Sequence, residues 1–118
     1  MLVDTSVWID HLRRGNRRLV DQLEAGDVLT HPFVIGEIAC GHLRNRSEIL
    51  ALLGNLVATP AAEHAEVMAF VDAHELMGQG LGWVDMHLLA SAALAGTPLW
   101  TLDRRLSAAA DSLGLRRF

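Results

Sequence analysis

The sequence predicts an α/β layered fold with a parallel sheet, and three observations support this prediction. Short apolar segments alternate with longer segments of helical periodicity, which is the pattern of parallel strands connected by helices. Apolar residues make up 51% of the 118 residues, which is enough to build one hydrophobic core. No repeat, low-complexity segment or internal boundary is evident, so we expect a single domain over residues 1–118.

The first half of the chain is predicted to begin with a strand and then to alternate. The elements are strand 1–3, helices 5–14 and 17–25, strand 28–30, helices 33–43 and 48–53, and strand 56–59. Gly15-Asn16 and Gly26-Asp27 end the first two helices. Pro32 favours the first turn of the third helix, and Ser47 is the predicted N-cap of the fourth.

The second half is predicted to contain three helices and two strands. These are helix 60–77, helix 83–95, strand 99–102, helix 104–113 and an edge strand at 115–118. Gly78, Gly80 and Gly82 form a predicted flexible joint between the first two of these helices. Helix 83–95 is the most apolar of the predicted helices.

Composition excludes several classes of protein. No apolar run approaches the roughly 20 residues of a membrane span, and we expect neither a membrane partner nor a signal peptide. The single cysteine, Cys40, is expected to be buried and inert. A chain with one cysteine cannot form an internal disulfide, which fits a reducing cytoplasm. Net charge is −4, yet all ten basic residues are arginines in clusters, a side chain that binds phosphate well.

Four acidic residues occupy positions where an unpaired carboxylate is costly. Asp4 and Asp103 each end a predicted strand, at the edge where open α/β sheets bind ligands. Asp85 lies on the apolar stripe of its helix, and Glu37 is surrounded by apolar residues three and four positions away. A helix cap or a salt bridge could explain each acid alone, but the set of four predicts a shared site.

Carboxylates that share a pocket need protons or a cation, because two charges about 4 Å apart repel by about 4 kcal/mol near a surface. Oxygen ligands without zinc-type cysteine or histidine spacing favour Mg²⁺ or Mn²⁺. Such ions polarise phosphoryl oxygens and generate a nucleophile from water, so we predict phosphodiester hydrolysis. The six histidines show no metal-binding spacing and are expected to be structural or at the surface.

Four motifs in this order resemble the PIN-domain ribonucleases, and most closely the VapC-type toxins of bacterial and archaeal toxin–antitoxin modules. They are Asp4-Thr5-Ser6 after an apolar strand, Glu37, Val84-Asp85 opening an alanine-rich helix, and Thr101-Leu102-Asp103 near the end of the chain. Each motif is short, but the ordered set is fairly specific and spans the whole chain.

The resemblance implies a three-layer α/β/α sandwich around a central parallel sheet, with the acids at its carboxyl edge. It implies a Mg²⁺-dependent RNA endonuclease, with Mn²⁺ as an alternative ion, that is inhibited by a cognate antitoxin and forms a homodimer. By motif position, Asp4, Glu37, Asp85 and Asp103 match the family's catalytic acids, with Asp4, Asp85 and Asp103 as metal ligands.

Four further residues complete the predicted site. Ser6 matches a hydroxyl that often accompanies the family's acids, and Thr101 is assigned a similar supporting role. Arg104 and Arg105 are predicted to contact RNA phosphates. Many relatives carry another acid two or three residues after the last aspartate, where this chain has Arg105 and Leu106, so binding of one ion or of two stays open.

Two alternatives are kept. In the first, the fold is a non-catalytic binding module whose acidic pocket only receives a partner's arginine. In the second, Asp4 is the nucleophile of an aspartyl-phosphate enzyme or receiver, groups that rely on a lysine, which this chain lacks. A nuclease assay with and without Mg²⁺ separates the first alternative from the main hypothesis.

Overall fold

The computed structural model describes all residues from 1 to 118, and its centre is a short parallel sheet. Two strands, β1 (Leu2–Val3) and β2 (Leu99–Trp100), pair with Leu2 opposite Leu99 and Val3 opposite Trp100. Single parallel bridges then join Leu2 to Leu29, Thr30 to Ala58 and Leu99 to Arg116. From edge to edge, the order is therefore the segment at Ala58, the segment at Leu29–Thr30, β1, β2 and the segment at Arg116.

Both faces of the central strands are buried, as a three-layer arrangement requires. Leu2, Val3, Leu99 and Trp100 are all at most 3% exposed, and consecutive residues of a strand point to opposite faces. Apolar side chains must therefore cover the sheet on both sides. The buried apolar residues form one cluster of 22, which extends along the chain from Leu2 to Ala110.

Seven helices surround these strands. They are α1 (Thr5–Arg14), α2 (Arg17–Glu24), α3 (Pro32–Ala39), α4 (Arg46–Gly54), α5 (His64–Ala73), α6 (Trp83–Ala95) and α7 (Arg104–Ser112). Helix α1 packs on α2 and α3, α3 packs on α4, and α5 packs on α6, while α6 and α7 both contact β2. The longest helix, α6, has 13 residues, and no helix has the length and apolarity that crossing a membrane requires.

The predicted α/β fold with a parallel sheet is confirmed, and the helices with clear terminal signals begin and end as predicted. Asp4 caps α1, and Gly15, at φ 77°, follows its last residue. The side-chain oxygen of Asn16 accepts a hydrogen bond from the amide of Leu19 and so caps α2. Helix α6 matches its predicted bounds, and its residues 86–92 are all buried.

The predicted helix over 60–77 is wrong at both ends, because α5 covers only His64–Ala73. Its start is set by a capping box, in which the side chain of Glu66 accepts a hydrogen bond from the amide of Glu63. Its end is set by Glu75, which adopts a left-handed φ of 52°. Neither signal was used in the prediction, which relied on Pro60 and on apolar periodicity.

The connection between α3 and α4 also differs from the prediction. Helix α3 stops at Ala39, and the guanidinium of Arg46 donates to the Ala39 carbonyl at 2.9 and 3.1 Å. The N-cap of α4 is Asn45, with a left-handed φ of 57°, so Ser47 lies inside that helix. Cys40 is exposed, and the expectation of a buried thiol is therefore wrong.

Candidate functional site: an acidic edge of the sheet

The carboxyl ends of β1 and β2 bring two predicted site segments side by side. Asp4 follows Val3, and Thr101 follows Trp100, the register partner of Val3. The amide of Asp4 donates to the carbonyl of Trp100 at 2.9 Å, so the pairing continues one step beyond the strands. Residues 97 positions apart in the sequence thus become neighbours at one edge of the sheet.

A network of hydroxyl groups fixes Asp4. Its Oδ2 atom accepts hydrogen bonds from the hydroxyls of Ser6 at 2.6 Å and Thr101 at 2.7 Å. These hydroxyls in turn accept from backbone amides, Ser6 from Leu102 and Thr101 from Asp103, both at 3.0 Å. Asp4 is only 6% exposed, so the network holds a nearly buried carboxylate in one orientation.

Asp103 and Asp85 lie at the first turns of two helices. The Oδ1 atom of Asp103 caps α7 by accepting from the amide of Leu106 at 2.9 Å. The Oδ2 atom of Asp85 accepts from the amide of Gly82 at 2.9 Å, in the first turn of α6. Both acids therefore serve as helix caps, and this role coexists with their position at the acidic edge.

The charge state of Asp85 reports how close the acids are. Partial burial raises its pKa above the ordinary value, and the carboxylates of Asp4 and Asp103 raise the pKa further. The hydrogen bond from Gly82 acts in the opposite direction without cancelling these effects. Asp4, Asp85 and Asp103 thus share one electrostatic environment at the edge of the sheet.

Glu37 lies at the rim of this environment rather than inside it. Its side chain is exposed, while Val34 and Ile38 form the buried face of α3, so the expected inward position is wrong. Its Oε1 atom accepts a hydrogen bond of 2.7 Å from the hydroxyl of Thr5. Because Thr5 directly follows Asp4, this bond connects Glu37 to Asp4 through one residue.

Each of the four acids uses one oxygen for local hydrogen bonds and leaves the other without a hydrogen bond. The bonded atoms are Asp4 Oδ2, Glu37 Oε1, Asp85 Oδ2 and Asp103 Oδ1. The second oxygens therefore remain open to a ligand. They form a donor set of hard oxygens only, which is the set that Mg²⁺ and Mn²⁺ prefer.

Two observations bear differently on metal binding. With the side chains as they stand, no three acidic, histidine or cysteine side chains lie close enough together to hold one ion. Asp85 nevertheless feels the charges of Asp4 and Asp103. The acids therefore lie near one another without surrounding a single point. Their oxygen donors fit a divalent cation in chemistry.

No basic side chain neutralises the acidic edge. The structure contains two ion pairs, Arg14 with Asp10 and Arg17 with Asp21, each within one helix and apart from the four acids. The predicted RNA-binding residues Arg104 and Arg105 are exposed at the start of α7 and are not ion-paired. A site of uncompensated carboxylates beside free guanidiniums is suited to a cation and a phosphate.

Two histidines are buried. The ring of His87 packs against Phe33 and Trp83, and its Nδ1 has no hydrogen-bond partner. His31 is fully buried, its Nδ1 accepts from the amide of Phe33 at the start of α3, and its Nε2 lies 3.1 Å from the hydroxyl of Ser91. Burial lowers the pKa of His31 to about 4, and nearby His87 contributes to this shift. Burial also lowers the pKa of His87, so both rings are neutral at pH 7.

Sequence reasoning did not assign Thr5 or Gly82 to the site. Thr5 holds Glu37, and the signal for it was the hydroxyl-rich turn Asp4-Thr5-Ser6, from which only Ser6 was selected. Gly82 orients Asp85 through its amide, and a backbone donor leaves little trace in a sequence. Both residues position predicted acids.

Comparisons with a family model and with a relative show the family of this chain, and a solved structure shows the same fold. A family model described as PIN domain matches residues 1–112. The chain is 47% identical over 116 residues to a protein named Ribonuclease VapC32 in two strains of Mycobacterium tuberculosis, a match that covers 98% of this chain and 94% of that protein. The crystal structure of PAE2754 from Pyrobaculum aerophilum matches with a TM-score of 0.66 and 18% identity, over 95% of this chain and 90% of the other.

Proposed function

Because this chain belongs to the PIN-domain family and is a ribonuclease of the VapC type, we propose that it is a Mg²⁺-dependent endoribonuclease and the toxin of a toxin–antitoxin pair. One observation carries the proposal beyond the family assignment. Four carboxylates at one edge of the sheet have no basic partner, and each keeps one oxygen without a hydrogen bond. Carboxylates that lie near one another without a basic partner attract a cation.

The proposed roles follow from the contacts. Asp4, Asp85 and Asp103 are the cation ligands, and Glu37, held by Thr5, orients a water molecule at the rim. Ser6 and Thr101 donate to Oδ2 of Asp4 and leave its other oxygen free for the ion. When bound, Mg²⁺ or Mn²⁺ would polarise the phosphoryl oxygen and lower the pKa of the attacking water.

The test is a cleavage assay with single-stranded RNA and analysis of the product ends. We expect cleavage with Mg²⁺ or Mn²⁺, none with EDTA, and products that carry a 5′-phosphate and a 3′-hydroxyl, because water attacks rather than the 2′-hydroxyl. Cyclic phosphate ends formed in EDTA would overturn this mechanism. No cleavage of any RNA with either ion would favour the non-catalytic binding module. The aspartyl-phosphate alternative has no support from the family or from the lysine-free composition.

We propose that the antitoxin binds in an apolar groove between α1, α2 and α4. The lining residues are Trp8, His11, Leu12, Leu23, Ile49, Leu52, Leu53 and Leu56. Leu52 is 64% exposed and lies in a lining that is otherwise apolar except for His11, so the groove offers a contiguous apolar surface. A VapC-type protein is paired with an antitoxin, so an apolar antitoxin segment is the proposed occupant.

Replacement of Leu52 by Asp should weaken inhibition by the co-expressed antitoxin by about tenfold or more, because a charge would enter the groove. Cleavage by the free enzyme should not change. Leu94→Asp is the matched control, because Leu94 is 65% exposed on α6, away from the groove. Equal inhibition of the two variants would remove this groove from the antitoxin interface. The homodimer stays a prediction, which sedimentation analysis of the purified protein would test.

A further inference from the structure

The side chain of Arg105 lies directly on the backbone of the 78–82 loop. A Cβ atom placed on Gly80 would stand 2.6 Å from Nη1 of Arg105 and 3.0 Å from its Cδ and Cζ. Real Cβ atoms do not approach other heavy atoms so closely, so this contact requires glycine. Arg105 therefore packs against the loop along its length and does not extend freely into solvent.

Its sequence neighbour Arg104 lies elsewhere. Arg104 lines a groove with Thr101, Asp103, Arg116 and Phe118, so it lies beside two residues of the predicted site. The 78–82 loop, on which Arg105 packs, continues to Gly82, whose amide donates to Asp85. The tandem arginines thus have different neighbours: Arg104 shares a groove with Asp103, and Arg105 contacts the loop that leads to Asp85.

We propose that Gly80 is a positioning residue that fixes the Arg105 guanidinium against the loop that leads to Asp85, where Arg105 binds a phosphate of the RNA. This inference rests on the proposed function. Arg105 forms no ion pair with a carboxylate, so its charge is free for a substrate phosphate. A guanidinium that already lies in place loses less rotational freedom when the phosphate arrives.

The loop contains a matched control for this proposal. Gly78 has a φ of 73° and Gly80 a φ of 75°, but a Cβ on Gly78 would meet nothing within 4 Å. Alanine at either position therefore introduces the same left-handed strain. Only alanine at position 80 also displaces Arg105, and it does so by moving the flexible end of a side chain.

The experiment compares Gly80→Ala, Gly78→Ala, Arg105→Ala and the double variant Gly80→Ala/Arg105→Ala. Binding of a fluorescein-labelled single-stranded RNA is measured in EDTA as a function of salt, and KM and kcat are measured with Mg²⁺. The two glycine variants should melt at the same temperature. Gly80→Ala should bind RNA about fivefold more weakly than Gly78→Ala, since Arg105 is no longer pre-positioned.

Arg105→Ala should weaken binding about tenfold and lower the slope of log affinity against log salt by about 0.7, as for the loss of one phosphate contact on a single strand. Gly80→Ala should add nothing in the Arg105→Ala background, and its effect should fall on KM rather than kcat. Equal RNA binding by the two glycine variants, or additive effects in the double variant, would overturn the inference. A wild-type protein that neither binds nor cleaves RNA would instead overturn the proposed function.

Discussion

The acidic edge and the buried histidines show how the same kind of sequence pattern leads to opposite structural outcomes. In both regions, ionisable residues are placed among apolar neighbours. His31 is fully buried, and its two ring nitrogens both have partners, one on Phe33 and one on Ser91. Asp85 is only half-buried, and one of its oxygens has no partner.

The difference lies in what burial does to each charge. Burial shifts the pKa of His31 downward, so the histidine is neutral at pH 7 and needs no counter-charge. Burial and two neighbouring carboxylates shift the pKa of Asp85 upward, but the group keeps an open side where a cation can enter. The complete set of partners around His31 indicates a structural role, whereas the free oxygen of Asp85 beside two like charges is a feature of binding sites.

Among the substitutions that test this difference, Asp85→Asn should have the largest effect on activity. We expect a loss of RNA cleavage of about 10³-fold or more, because the edge loses a ligand charge. The amide oxygen can still accept from Gly82, and the repulsion by Asp4 and Asp103 disappears. The melting temperature without metal should therefore be equal or higher. Cleavage at the wild-type rate, measured on the purified variant, would remove Asp85 from the site.

The second prediction concerns the stability at acid pH that depends on His31. Its pKa is about 4 in the folded state and about 6.5 when unfolded, so the unfolded chain binds a proton first as the pH falls. The contribution of His31 is thus present above pH 6.5 and is lost between pH 6.5 and 4. The expected loss is about 3 kcal/mol of unfolding free energy.

The test of that prediction is urea unfolding at a series of pH values. His31→Asn keeps an acceptor for the amide of Phe33 and should flatten the profile between pH 6.5 and 4, at the cost of lower stability at pH 7. His42 is an exposed histidine in a loop, and His42→Asn should leave the wild-type profile unchanged. A profile for His31→Asn as steep as that of wild type would mean that other groups produce the acid sensitivity.

The sequence was informative where local chemistry decides the structure. Helices α1 and α6 have their predicted bounds, because Asp4, Gly15 and Gly96 are strong terminal signals that act over one turn. Asp4 and the segment 101–103 lie side by side for a similar reason, while their role in a functional site stays a prediction. Residues that follow neighbouring parallel strands must meet at one edge, whatever the helices between them do.

Other features depend on contacts that no local pattern encodes. Helix α5 ends at Ala73 because Glu75 takes a left-handed φ, which apolar periodicity does not reveal. Glu37 was expected to face the core, but only tertiary packing decides which side of α3 is covered. The hydroxyls of Ser6 and Thr101 meet at Asp4 from sites 95 residues apart, so their shared role becomes visible only in the fold.

The most direct measurement of the central claim is the melting temperature of the wild type and of Asp4→Asn/Asp103→Asn, with and without Mg²⁺ or Mn²⁺. Asparagine caps helices as well as aspartate does, so the double variant should keep α1 and α7. At an ion concentration of about 100 times Kd, the wild type should gain about 2.7 kcal/mol and melt several degrees higher. The variant should show no such gain. An equal rise in both proteins, or none in the wild type, would contradict a divalent-cation site at the acidic edge.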